Sequence, residues 1–225
     1  MKQIIAIDGP SGVGKSSVSK QLAKALGWTY LDTGATYRAV TLAWLRSDRK
    51  VERLADGAWL AGLDIDFREG AVYLNGEDVS QAIRTEEVTA QVSLVSAQSG
   101  VRADLTRLQR KIGNLRPCIL DGRDIGTVVF PDAFLKVFLT AGEAVRARRR
   151  WTQLGGERSG RSFEQVLEDQ RVRDRKDASR SLAPLKKADD AWELDTDTYD
   201  QDQVAALIER EARRRLGEGS EPGNP

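Results

Sequence analysis

Gly9-Pro10-Ser11-Gly12-Val13-Gly14-Lys15-Ser16-Ser17 places four residues between Gly9 and Gly14 and follows them with lysine and a hydroxyl residue, the phosphate-loop pattern. The apolar run Ile4 to Ile7 before it reads as a short buried strand. After it, Val18, Leu22, Ala25 and Leu26 recur at helical spacing until Gly27 ends the helix. A loop between a strand and a helix can turn its backbone N–H groups inward and use the positive helix end to hold phosphate oxygens. Gly9, Gly12 and Gly14 keep Cβ atoms out of that cradle, and Pro10, Ser11 and Val13 complete it. Lys15 is spaced to reach the β- and γ-phosphates, Ser16 to offer its hydroxyl to Mg²⁺, and Ser17 to sit beside it in the first helical turn. The alternative is a glycine-rich turn with nothing bound.

The chain of 225 residues is long enough for one full core, and its hydrophobic content of 40% is that of an ordinary globular domain. Thirty-five basic residues against 34 acidic ones leave a net charge of +1, so no global field calls for nucleic acid or an anionic membrane. Clustered arginines then need a local explanation. Cys118 is the single cysteine and lies in an apolar run, which excludes an intrachain disulfide and points to a reducing compartment. Neither a signal peptide nor a membrane span is legible, so a cytoplasmic protein is expected. The absence of histidine removes imidazole bases and histidine-ligated metals from consideration. Phosphoryl transfer survives that restriction.

In chain order, Trp28 to Leu31 reads as a second strand, with Thr33 placed to cap the helix that carries Tyr37 and Arg38. In a parallel sheet this turn lies at the same edge as the phosphate loop, so Arg38 reads as a substrate contact, or else as a solvated helix arginine. Leu63 to Phe67 alternates, and Val72 to Leu74 runs into Asn75-Gly76, which together predict a small antiparallel ribbon inside an insertion. There, Val101, Leu105, Leu108 and Ile112 form a helical stripe opposite Arg102, Thr106, Gln109 and Arg110, a face that is either wet or a binding face.

Cys118 to Leu120 is a third core strand, ending in Asp121-Gly122-Arg123-Asp124 where ligands of α/β proteins bind. Asp121 could stand near Mg²⁺ or in a buried ion pair with an arginine, and Arg123 could hold a phosphate. Phe134 to Leu139 and Trp192 to Leu194 supply the fourth and fifth strands. Between them, a helix bearing Arg146, Arg148, Arg149 and Arg150 runs to Leu154. Gly155 to Gly160 breaks the pattern, and Ser162 with Gln165 restarts it with a capping box. This hinged pair reads as a lid carrying Arg158 and Arg161. On its second helix, Arg173, Asp177 and Arg180 share a face, as a binding site or as a surface ladder with Glu168, Asp169 and Asp174. Val204, Leu207, Ile208 and Leu216 mark a last amphipathic helix, and Gly217 to Pro225 reads as a disordered tail.

The fold expected is therefore α/β: a five-stranded parallel sheet with helices on both faces, an inserted region with the ribbon, and a short lid. The divisions expected are a core of 1–40, 113–150 and 178–216, an insert of about 41–112, and a lid of about 151–177. Arginines at several separate elements around one triphosphate site suit transfer to a second phosphorylated molecule. That chemistry needs alignment and charge neutralisation more than a base.

At this point the chain resembles the bacterial cytidylate kinase family from Ile4 to about Leu216. The resemblance rests on the phosphate loop from Asp8, Leu-Asp-Thr-Gly-Ala-Thr-Tyr-Arg from Leu31, Asp-Gly-Arg-Asp-Ile-Gly-Thr-Val-Val-Phe-Pro-Asp from Asp121, and Arg-Asp-x-x-Asp from Arg173 on through Arg180 to Pro184-Leu185. It implies phosphorylation of CMP and dCMP by ATP with Mg²⁺; a monomer that engages neither nucleic acid nor membrane is expected beside it. It also implies that Arg38, Arg123 and Arg180 grip the CMP phosphate, that Arg173 and Asp177 meet the ribose, and that Ser93, Arg102 and Asp124 meet cytosine. Thr33, Tyr37 and Arg110 join the CMP site, Thr33 standing where the family often has serine. Lys15, Arg123, Arg146 and Arg150 carry transition-state charge, and Asp121 reaches the metal with Ser16, directly or through water. A kinase of the same fold for another acceptor, or an ATP-regulated binding module, remains the competing reading.

Overall fold

Ile4, Ile5, Ala6 and Ile7 are apolar in succession, so the strand they form must be covered on both faces. In the computed structural model, which describes residues 3–68 and 70–217, that strand is the centre of the main sheet. Strand β1 (Ile4–Asp8) leads through the phosphate loop to α1 (Lys15–Leu26), and β2 (Thr29–Asp32) leads to α2 (Thr33–Leu45). The segment after α2 holds α3 (Gly57–Ala61), β3 (Ile65–Arg68), β4 (Ala71–Leu74), β5 (Glu77–Asp78), α4 (Glu86–Ser96) and α5 (Ser99–Gly113). Then follow β6 (Cys118–Gly122), β7 (Leu135–Thr140), α6 (Glu143–Gln153), α7 (Phe163–Ala178), β8 (Trp192–Asp195) and α8 (Gln201–Leu216). The tail expected from Gly217 onward lies, from residue 218, outside the described residues.

The main sheet runs β2-β6-β1-β7-β8 with every pairing parallel. Its side chains alternate between two cores. Ile5, Ile7 and Ile119 pack with Leu22 of α1 and Ile208 of α8. Ile4, Ala6, Cys118 and Leu120 point the other way, against Leu31, Ile125, Val129 and Phe130. The chain leaves β1 toward β2 on one side and returns past it from β6 to β7 on the other. The loops after β1, β2 and β6 therefore open at one edge, around a reversal of strand order.

The inserted segment has its own core, in which Val72, Ile83, Val95 and Leu105 pack beneath Val40 and Trp44 of α2. Asn75 and Gly76 have φ of 52° and 82°, the geometry of a type I′ hairpin turn, and β5 adds a third strand to the expected ribbon. Three local expectations are corrected. Asp32, not Thr33, caps α2 by accepting from the Ala35 N–H at 3.0 Å, which frees the Thr33 hydroxyl to donate to the Asp121 carbonyl at 2.6 Å. Arg102 and Gln109 on α5 are buried rather than wet, because that face packs against α2 and the turn after β6, where Arg102 pairs with Asp124 and Gln109 donates to Thr36 Oγ1 at 2.9 Å. Helix α7 ends at Ala178, so Arg180 reaches inward from the following loop.

Cys118 is fully buried on β6, and burial pushes its thiol pKa up to about 12. The thiol therefore stays protonated at neutral pH. Iodoacetamide at about pH 8 should leave the native chain unlabelled and modify the denatured chain at its one cysteine. Rapid labelling of the native protein would contradict this packing.

Candidate active site

The phosphate loop is pressed between β7 and α7. Gly9 has φ of 148°, and a Cβ there would lie 2.3 Å from the Leu139 carbonyl oxygen. A Cβ on Gly12 would meet Gln170 Nε2 at 2.5 Å and the Arg146 carbonyl oxygen at 2.9 Å. Val13 is buried, and its carbonyl accepts from the Thr196 hydroxyl at 3.4 Å. Lys15 folds back over the loop and donates to the carbonyls of Gly9 (2.8 Å) and Pro10 (2.6 Å). Burial, with Arg123 nearby, holds its ammonium well below the usual lysine pKa. The Ser11 N–H donates to Asp174 at 3.2 Å, while Arg146 donates to the Ser11 carbonyl at 3.0 Å and pairs with Asp174.

At the end of β6, Asp121 accepts from Ser16 Oγ at 2.6 Å and from the Tyr30 hydroxyl at 3.0 Å. The structure thus gives Asp121 hydroxyl partners rather than an arginine. Burial, reinforced by the neighbouring Asp32 charge, raises its pKa to about 6.

Across the loop lies a cavity of about 350 Å³. Arg123 and Arg180 both pair with Asp177, a carboxylate only 2% exposed, Arg123 at 2.9 Å. Arg180 also donates to Ser96 Oγ at 3.2 Å. Arg38 donates to the Ile83 carbonyl at 3.1 Å and to Thr89 Oγ1 at 2.9 Å, which ties α2 to the insert. Arg102 and Asp124 form a buried ion pair, with the guanidinium 5.4 Å from the centre of the Tyr37 ring. Two buried polar atoms on the wall have no hydrogen-bond partner among the described residues, Tyr37 Oη and Arg173 Nε. Burial pushes the Tyr37 pKa up to about 12, and burial with Arg123 beside it brings Arg173 down to about 10.

Ser11, Gly12, Gly14, Ser16 and Ser17 line the same cavity, as do Thr33, Ser93 and Arg150. Burial, with the positive charges of Arg161 and Arg84 acting on it, holds the Arg150 pKa below the usual arginine value. Two expected residues are placed elsewhere. Arg110 lies outside the cavity and donates to the carbonyls of Val129 and Val128, each at 2.8 Å. Arg146 sits behind the phosphate loop, committed to Ser11, Asp174 and the Ala141 carbonyl at 3.1 Å. Arg161 pairs with Asp169, and Trp151 donates to the Arg161 carbonyl at 2.8 Å. Sequence reading missed Arg84, which reaches the cavity from the insert within 3.5 Å of Asp32. It also missed Tyr30, which holds Asp121, and Asp8, whose carboxylate accepts from the N–H groups of Ile125 (2.9 Å) and Gly126 (2.7 Å). An acid closing a buried apolar strand was the available signal for Asp8.

The sequence profile described as "Cytidylate kinase" matches residues 5–214, nearly all of the described chain. The chain belongs to the cytidylate kinase family. A cytidylate kinase of Geobacter sp. (strain M21) is 47% identical over 221 residues, covering 96% of this chain and 95% of the relative. One from Halalkalibacterium halodurans is 45% identical over 213 residues, covering 92% and 96%. An uncharacterised protein from Eubacterium ventriosum shares the fold, with a TM-score of 0.52 at 13% identity over 95% of this chain and 99% of its own. As a cytidylate kinase, the chain brings its phosphate loop and its arginine cavity to one sheet edge.

Burial raises the Asp8 pKa to about 6 from 3.8. The folded protein therefore keeps a proton that the unfolded chain has lost, so this stabilising contribution is present below about pH 4 and disappears as pH rises through about 6. Asparagine lacks that dependence. Between about pH 4 and 7, the stability of Asp8→Asn relative to the parent should rise by about 1–3 kcal/mol in denaturant unfolding. An unchanged difference would contradict the raised pKa.

Proposed function

We propose that this cytidylate kinase transfers the γ-phosphoryl group of ATP to CMP or dCMP, with the phosphate loop holding the donor and the arginine cavity holding the acceptor. The observation that carries the reading is the placement, across one cavity, of Lys15 and the loop against Arg38, Arg123 and Arg180 and the Arg102–Asp124 pair. The acceptor phosphate is ionised at neutral pH, so no histidine or other base is needed. Arg123 and Arg180 exchange Asp177 for the acceptor phosphate, and Arg38 completes the grip. Asp177 and Arg173, whose Nε is unpartnered, then face the ribose.

Asp124 accepts from the exocyclic amino group of cytosine, a donor that uracil lacks, and Arg102 donates to the ring carbonyl. Ser93, Thr33 and Tyr37 flank the nucleotide. Arg110 has no part in this contact set. Lys15 leaves the Gly9 and Pro10 carbonyls for the β- and γ-phosphates. Arg150, on which Arg161 and Arg84 press like charge, meets the transferring group, and Arg146 joins it only by leaving Asp174.

No cluster of three or more metal-ligating side chains occurs among the described residues. Ser16 Oγ and Asp121 Oδ2, 2.6 Å apart, are nevertheless the oxygen donors that suit Mg²⁺, which typically takes one or two carboxylates, substrate phosphates and water. Ser16 would hold it directly and Asp121 directly or through water, and bound Mg²⁺ neutralises phosphate charge. We assign residues 1–40, 113–150 and 178–216 to the kinase core, about 41–112 to the acceptor-binding insert and about 151–177 to the lid. A cytoplasmic monomer is the working state, and no helix among the described residues is long and apolar enough to cross a membrane.

With Mg-ATP and CMP, dCMP, UMP, AMP and GMP compared under one set of conditions, ADP should form chiefly with CMP and dCMP. Dominant turnover of another acceptor would overturn the cytosine assignment. Lys15→Ala should lower turnover by at least about a hundredfold in a folded protein, and near-normal turnover would remove Lys15 from the mechanism.

A further inference from the structure

Asp124 opens a single π-helical turn, Ile125–Val129. The N–H groups of Val129 and Phe130 donate five residues back, to the carbonyls of Asp124 (3.1 Å) and Ile125 (2.7 Å). Such turns are rare and recur at functional sites. Like any short helical turn, it leaves N–H groups unpaired at its start and carbonyls unpaired at its end.

Charged side chains of the matching sign close both ends. At the start, the two Asp8 oxygens accept from the N–H groups of Ile125 and Gly126 at 2.9 and 2.7 Å. At the end, Arg110 Nε and Nη2 donate to the carbonyls of Val129 and Val128, each at 2.8 Å. Anions favour helix starts and cations favour helix ends, so each charge also suits the turn's dipole. Gly126 sits close under the Lys136 side chain, where a Cβ would lie 3.2 Å from it.

The two clamps belong to elements that already serve the site. Asp8 ends β1 and directly precedes the phosphate loop. Arg110 lies on α5, eight residues after Arg102, the partner of Asp124. Helix α5 thus holds Asp124 once through its carboxylate and again through the turn behind it.

We propose that Asp8 and Arg110 are positioning residues for base selection, clamping the turn so that the Asp124 carboxylate stands where cytosine's amino group must donate. This rests on the reading of Asp124 as the cytosine contact. Neither residue touches the nucleotide. Their loss lets the Asp124 backbone shift, which weakens CMP more than UMP, and loss of Arg110, remote from the phosphate loop, leaves the donor untouched. Arg110 is exposed, so its truncation opens no hole in the core.

The test compares Arg110→Met, Arg110→Lys, Asp8→Asn, Asp124→Ala and the double variant Arg110→Met with Asp124→Ala. For each, kcat and KM are measured for CMP and UMP at saturating ATP, and KM for ATP at saturating CMP. Arg110→Met should lower the CMP-over-UMP ratio of kcat/KM by about tenfold, the scale of one hydrogen bond to a charged group, mainly through KM for CMP. KM for ATP should stay put, and Arg110→Lys should recover part of the loss. Asp8→Asn, if it folds, should move the ratio in the same direction, and the double variant should discriminate no worse than Asp124→Ala alone. If Asp124→Ala collapses the ratio while Arg110→Met leaves it intact, the clamp is wrong and the cytosine contact stands. An unmoved ratio in both variants overturns the cytosine reading itself. Equal losses for CMP, UMP and ATP would show a merely structural role and also refute the proposal.

Discussion

Arginines crowded at the edge of a sheet repel one another more strongly as water is excluded, so they need opposing charge even before a substrate arrives. Here aspartates supply it. Asp124 holds Arg102, Asp174 holds Arg146, and Asp177 holds both Arg123 and Arg180. Arg150 instead feels the like charges of Arg161 and Arg84, and Arg173 that of Arg123. A phosphorylated acceptor then replaces charge that the protein already provides, and the guanidinium groups are held close to their working places in advance. Arranging donors before the reaction is the usual source of electrostatic catalysis in phosphoryl transfer.

Helix α7 links the two halves of the site through this arrangement. Its Asp174 accepts from the Ser11 N–H and pairs with Arg146 at the phosphate loop. One turn later, Asp177 receives the acceptor-side arginines. A donor phosphate entering the loop competes with Asp174, and an acceptor phosphate competes with Asp177. Both events act on one helix, joined to α6 through a segment in which Gly155, Gly156 and Gly160 all adopt positive φ.

Much of this was legible in the residues. The five apolar runs gave the strands to within one or two positions, since strands covered on both faces are built mainly of apolar residues. The loop from Gly9, the turn after Asp121 and the Asn75-Gly76 hairpin each carry a local signature that tertiary contacts do not override. What periodicity could not reveal was which polar face of α5 the rest of the chain covers. Arg102 and Arg110 lie on one helix and looked alike. The first is buried between Asp124 and Tyr37, and the turn after β6 draws the second to its carbonyls. Thr33 likewise lost the capping role to Asp32 because the Asp121 carbonyl stands within reach of its hydroxyl. Arg84 and Tyr30 left no pattern, since their roles depend on elements distant in sequence.

The central claim is that the acceptor's charge takes over from the protein's own aspartates in this cavity. The most direct measurement is a crystal structure with CMP bound. The account predicts the phosphate on Arg38, Arg123 and Arg180, with the latter two turned from Asp177, and the cytosine amino group on Asp124. A CMP phosphate seated away from these arginines, or a base that leaves Asp124 without its amino group, would contradict it.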